Sequence, residues 1–161
     1  MSHIVSKFLS PHVLVWIITF ELISIVIGFS SNSGTDPWYL ALNTPPLNPP
    51  SYIFGIVWPF LYFLLAIFGW SLSKKNKLEA KILFGLFWVQ MLLNWSWSPV
   101  FFNLYSIGYA LLILIALVAI NAYIITKLFF LQMYNLIYII LPYFLWICFA
   151  MYLNTYLFVL N

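Results

Sequence analysis

The chain has 161 residues, of which 65% are hydrophobic, 22% aromatic and 6% charged, with a formal net charge of +3. A soluble domain is about 25% charged, so this composition excludes an ordinary water-soluble domain, a disordered chain and a secreted disulfide scaffold. Six lysines against three acids, at a mean hydropathy of +1.05, suit the orienting charges of a membrane protein better than a phosphate-binding surface, so nucleic acid is excluded as a partner.

A helix needs about 20 mainly apolar residues to cross a hydrocarbon core about 30 Å thick. Five stretches qualify: about 12–30, 52–72, 82–102, 107–128 and 135–159. Their continuous apolar runs predict helices, not the alternating strands of a barrel. The expectation is an all-α integral membrane protein, a single five-helix bundle over residues 1–161.

The first stretch carries Trp16 and the acid Glu21, so it reads as an uncleaved span and not as a signal peptide. It holds Glu21, the one acid inside a span, on a stripe with Ile17, Ser24 and Gly28. A mid-membrane charge is costly, so the carboxyl should face the bundle, be protonated or pair. Two roles stay open for it: a ligand contact or proton relay, or a structural carboxyl, either neutral and bonded to a neighbouring helix or close enough to the interface to snorkel. Residues 31–51 follow as a loop with Pro37, Pro45, Pro46, Pro49 and Pro50, which predict turns and extended pieces, with room for one short helix around 37–42.

The second stretch carries Phe54, Trp58, Tyr62 and Leu65 at helical spacing, and the basic connection SKKNKLEAK follows at 73–81. The third repeats the spacing with Gln90, Asn94, Trp97 and Phe101, and the fifth with Tyr143, Trp146, Ala150 and Asn154. A buried amide seeks a partner, so Asn94 should point inward and take Trp97 with it. These stripes read equally well as bundle packing and as the walls of a flat apolar pocket. Catalytic and metal-binding signals are thin. His3 and His12 lie at or before the first span, and the lone Cys148 reads as a small hydrophobe that permits no intrachain disulfide. No metal site and no required cofactor is expected.

Five spans would put Lys7, Lys74, Lys75, Lys77, Lys81 and Lys127 on one side of the membrane and leave only Asp36 on the other. The positive-inside rule then predicts a cytoplasmic N-terminus, with the C-terminus and the 31–51 loop outside.

The run Trp38-Tyr39-x-x-Leu42-Asn43-x-Pro45-x-x-Asn48-Pro49-Pro50, with Phe54-Gly55-x-Val57-Trp58-x-x-x-Tyr62 after it, resembles the signature of the translocator protein family, also called tryptophan-rich sensory protein or peripheral benzodiazepine receptor (TspO/MBR). Gln90 to Asn94, Trp97-Ser98-Pro99 and Phe101-Phe102 resemble its second block. Leu141-Pro142-Tyr143-x-x-Trp146-x-x-Phe149-Ala150-x-x-Leu153-Asn154 resemble its third. The resemblance implies a homodimeric bundle with a hydrophobic pocket that takes porphyrins, sterols or isoquinoline- and benzodiazepine-type ligands. Tyr39, Pro45, Trp58, Tyr62, Asn94, Trp97, Phe101, Trp146 and Ala150 match pocket-lining or loop-anchoring positions. Trp58 and Trp146 match tryptophans implicated in light-dependent porphyrin breakdown by bacterial members. The chain departs from the family at Thr44, usually Lys, and at Leu47, commonly aromatic. No basic residue follows Tyr156, so the sterol pattern of animal members is incomplete and a bacterial-type member is implied. The expected function is a receptor or sensor for porphyrin-like ligands. The alternatives are a transporter with Glu21 as coupling acid, and photo-oxidative porphyrin chemistry at Trp58 and Trp146.

Overall fold

The protein is described from a computed structural model, which covers residues 11–30 and 36–161. His3, Lys7 and the first part of the 31–51 loop lie outside the described residues. The described elements are α1 (Pro11–Ser30), α2 (Pro37–Ala41), α3 (Ser51–Ser73), α4 (Leu78–Ser98), a π-helical segment (Pro99–Asn103), α5 (Ile107–Phe130) and α6 (Tyr134–Leu160). Among the described residues there is no strand.

Helices α1, α3, α5 and α6 are long and apolar enough to cross a membrane. At 21 residues α4 is comparable in length, but Glu79, Lys81, Gln90, Asn94 and three tryptophans dilute its apolar character, so it is not among those four. The third expected span also shifts in register. Its helix begins at Leu78 instead of residue 82 and ends at Ser98, and the last residues of the expected span form the π segment. Proline 99 has no N–H to continue the α ladder. The chain widens there, and Leu104 N–H donates to Pro99 O at 3.1 Å, a five-residue closure.

The short helix expected around 37–42 is α2. Asp36 caps it, accepting from Trp38 N–H at 2.8 Å, and Pro37 occupies its first turn, where a missing N–H costs nothing. Tyr105 and Gln132 carry φ of 51° and 56° at the ends of the π segment and α5, the left-handed turn by which helices commonly stop.

Hydrogen bonds show which ends of the bundle lie together. The Tyr105 hydroxyl donates to Asp36 Oδ2 at 3.4 Å. The Asn161 side-chain amide clasps the backbone of Asn43, accepting from its N–H at 2.9 Å and donating to its C=O at 3.2 Å. The proline-rich loop, the α4–α5 connection and the end of α6 therefore share one end of the bundle. Lys74, Lys75, Lys77 and Lys81 lie around the α3–α4 turn, at the far ends of those helices.

Two apolar clusters hold the bundle. The larger includes Phe20 of α1, Leu65 and Phe68 of α3, Phe87 of α4, Leu117 of α5 and Tyr143 of α6. The smaller, at the loop end, joins Phe101, Phe102, Ala110 and Leu157 to Trp38, Tyr39 and Leu42. Where α1, α3 and α4 meet, Gly69 leaves no room for a side chain: a Cβ there would lie 2.5 Å from the Phe87 ring and 2.7 Å from Trp16.

Candidate ligand pocket

The aromatic stripes of α3, α4 and α6 converge on one interior cavity. Its walls are Phe54 and Trp58 from α3, Asn94 and Trp97 from α4, Leu114 and Leu117 from α5, and Trp146, Ile147 and Ala150 from α6. Helical spacing explains the convergence. Positions 54 and 58, 94 and 97, and 146 and 150 each repeat on one helix face, and an inward-facing amide anchors the face on α4.

Polar bonds hold this wall in place. The Tyr62 hydroxyl donates to Asn94 Oδ1 at 2.8 Å, and Asn94 Nδ2 donates to the Tyr143 hydroxyl at 3.1 Å. One amide thus ties α3, α4 and α6 together at the cavity. Trp97 Nε1–H donates to Asn154 Oδ1 at 3.3 Å, and Asn154 Nδ2 donates to Ile107 O at 3.0 Å, which fixes the Trp97 ring from α6 and α5. Trp146 meets Phe54 edge-on with ring centroids 5.7 Å apart, and its buried indole N–H has no partner among the described residues.

The cavity is nearly shut. Its volume of about 20 Å³ has room for one water molecule, whereas ligand sites usually span about 300–1,000 Å³. Toward the loop end it is plugged by rings. Trp97 stacks on Phe101 at 5.3 Å, and Phe101 packs beneath Trp38 at 5.6 Å and Tyr39 at 6.1 Å. The π segment turns Phe101 and Phe102 inward, where both are buried. A larger, open apolar groove of about 440 Å³ runs along α5 past Leu104, Tyr109 and Leu112, on the outer face of the bundle.

Of the residues singled out from sequence, Trp58, Asn94, Trp97, Trp146 and Ala150 form the cavity wall. Tyr62 lies one bond behind Asn94, and Phe101 one ring behind Trp97. Tyr39 and Pro45 belong to the covering loop. The Tyr39 hydroxyl bonds Asn48 Oδ1 at 3.2 Å, while buried Pro45 closes a turn by accepting from Asn48 N–H at 3.0 Å. Glu21 is half-buried on α1 and lies outside the cavity wall. Its stripe faces inward only in part, since Gly28 is exposed. Cys148 is half-buried and free, and among the described residues no three His, Cys, Asp or Glu side chains gather as metal ligands.

Two features escaped the sequence reading. The α5 wall, Leu114 and Leu117, sits in an aliphatic run with nothing to mark it. Asn121, fully buried against Gln90, is the lone amide of the fourth expected span, and that was the available signal.

The TspO/MBR family model matches residues 15–160. A tryptophan-rich protein TspO from Archaeoglobus fulgidus is 33% identical over 144 residues, covering 85% of this chain and 91% of its own. One of the same name from Chlorobaculum tepidum is 31% identical over 150 residues, covering 85% of this chain and 90% of its own. The Bos taurus translocator protein is 35% identical over 77 residues, 46% of each chain. The chain belongs to the TspO/MBR family.

Proposed function

We propose that this TspO/MBR protein is a membrane receptor that binds porphyrins and related flat hydrophobic molecules between α3, α4, α5 and α6. The observation that carries the proposal is the convergence of Trp58, Trp97 and Trp146, with Asn94 between them, on a single cavity. A tetrapyrrole offers a broad π-face, and each well-placed aromatic contact contributes about 0.5–1.5 kcal/mol beyond burial. Its propionates stay near the mouth, because an unpaired carboxylate is costly to bury. Sterol- and isoquinoline-type ligands share the flat apolar body and compete for the same walls.

In this reading the ligand opens the site. A cavity of about 20 Å³ admits a tetrapyrrole only when the α3 and α6 walls part and the Trp97–Phe101 plug shifts. A rearrangement that depends on ligand is what a sensor needs. The position of Glu21 outside the cavity wall supports sensing over transport coupled through that acid. Trp58 and Trp146, lying against a bound porphyrin, are the side chains most open to photo-oxidation under illumination.

The same reading counts α4 as a fifth span. Its packing among the apolar helices supports this, as does the sharing of one end by the proline-rich loop, the α4–α5 connection and Asn161. Lys74, Lys75, Lys77, Lys81 and Lys127 then face the cytoplasmic side of a bacterial cytoplasmic membrane. A homodimer within the bilayer completes the assembly.

The test is titration of purified protein with protoporphyrin IX, followed by tryptophan quenching. Trp58→Ala and Trp146→Ala should each weaken binding about 2–10-fold, the loss of one aromatic contact, and the Trp58→Phe, Trp146→Phe double variant should leave the pigment largely intact under light. Undiminished affinity in the double alanine variant would overturn the pocket assignment; unchanged pigment breakdown in the double phenylalanine variant would overturn only the photochemical role.

A further inference from the structure

One helical turn below the cavity, on the lysine-bearing side, α4 and α5 meet through a pair of fully buried amides, Gln90 and Asn121. Gln90 stands four residues before Asn94, and Asn121 four after Leu117, both of them cavity walls. Asn121 Nδ2 donates to Leu117 O at 2.9 Å and to Gln90 Oε1 at 3.3 Å. That leaves Gln90 Nε2 and Asn121 Oδ1 with no partner among the described residues, although neither touches solvent.

Turning the amides does not repair this. If Asn121 is flipped, its oxygen faces the Leu117 carbonyl, acceptor against acceptor. If Gln90 is flipped, its nitrogen faces Asn121 Nδ2, donor against donor. The Leu117 contact therefore fixes Asn121, and Asn121 fixes Gln90. The indoles of Trp70, Trp95 and Trp146 also have unpartnered buried N–H groups, but each is a lone donor. Among the described residues, only here do an orphan donor and an orphan acceptor occur on side chains already bonded to each other.

We infer that Gln90 and Asn121 form a binding site for one water molecule, which accepts from Gln90 Nε2–H and donates to Asn121 Oδ1. Hydrocarbon supplies no partner for either group, and an apolar side chain satisfies neither. A water does both jobs at once, as buried waters commonly do for polar groups the chain leaves unpaired. The site lies outside the aromatic cavity and is independent of which ligand the cavity takes. It hydrates the α4–α5 seam directly beneath the pocket.

The chain has two glutamines, Gln90 and Gln132, so labelling glutamine side chains with 15N gives two amide signals. Gln132 is exposed and serves as the reference for free exchange with solvent. The full protein in lipid nanodiscs should show a cross-relaxation peak between the Gln90 amide protons and a long-lived bound water. Gln90→Met identifies the signal by removing it. Asn121→Leu, which deletes the acceptor, should abolish the water peak while the Gln90 amide signal persists. A Gln90 amide with no water contact, or a water peak unchanged in Asn121→Leu, would overturn the site. A water position within hydrogen-bond distance of both groups in a crystal structure would support it directly.

Discussion

Replacing Asn94 by leucine tests whether the polar junction at the cavity holds three helices together. The side chain is 5% exposed and bonds Tyr62 and Tyr143, themselves 4% and 0% exposed. Leucine keeps the branched outline, with methyl groups in place of the amide nitrogen and oxygen, and leaves both hydroxyls without their shared partner. In a water-soluble core, two orphaned hydroxyls would cost about 1–3 kcal/mol each. Within a membrane the unfolded helices still find partners for their polar groups, and interhelical bonds measure about 0.6 kcal/mol on average and about 1.7 at most. The membrane figure governs here, so Asn94→Leu should cost about 1–3 kcal/mol in all. Reversible unfolding in mixed detergent–lipid micelles reads this loss. The decisive comparison is the same substitution in a Tyr62→Phe, Tyr143→Phe background, where no hydroxyl is left to orphan and the cost should fall below about 0.5 kcal/mol. Equal losses in the two backgrounds would refute the junction and assign Asn94 to shape alone.

Gly69→Ala should destabilise the bundle by up to about 2 kcal/mol. Overpacking against Phe87 and Trp16 costs about 1–3 kcal/mol and outweighs the helix-propensity gain of about 1. Gly85→Ala, with open space around its Cβ, should be neutral or stabilising, and Phe87→Leu should recover part of the Gly69→Ala loss. Equal unfolding midpoints for the two alanine variants would contradict the packing. Asn161→Ala removes the clasp on Asn43 and so loosens the loop over the Trp97–Phe101 plug. Stopped-flow quenching by protoporphyrin IX should show association several-fold faster, with stability changed by less than about 0.5 kcal/mol because the clasp is exposed. An unchanged rate would mean that the loop does not limit access.

Much of this was legible in the chain itself. Continuous apolar runs marked the four long apolar helices to within a residue or two, because a bilayer demands that every backbone polar group be satisfied within its own segment. The 3.6-residue period put Trp58, Asn94, Trp97 and Trp146 on inward faces, and the structure brings them to one cavity. The third span was less legible. Its composition mixes charges, amides and indoles, and the missing N–H of Pro99 becomes a π turn only when Phe101 and Phe102 find a core to enter. Glu21 was conspicuous by composition, yet its half-buried place on α1 depends on how that helix rotates against α3, which a single acid does not specify.

Residue type and periodicity, then, determined the solvent, the helices and the face each helix turns inward, since these follow from local hydrogen bonding and from the apolar pattern along one segment. Tertiary structure alone decided that the aromatic faces close on a cavity with room for one water. It also decided that aliphatic Leu114 and Leu117 complete the wall, and that Gln90 meets Asn121 with a donor and an acceptor left over. Those facts depend on the separation and rotation of neighbouring helices. Such quantities are set by side chains interlocking across distant parts of the chain, so no single stretch of sequence contains them.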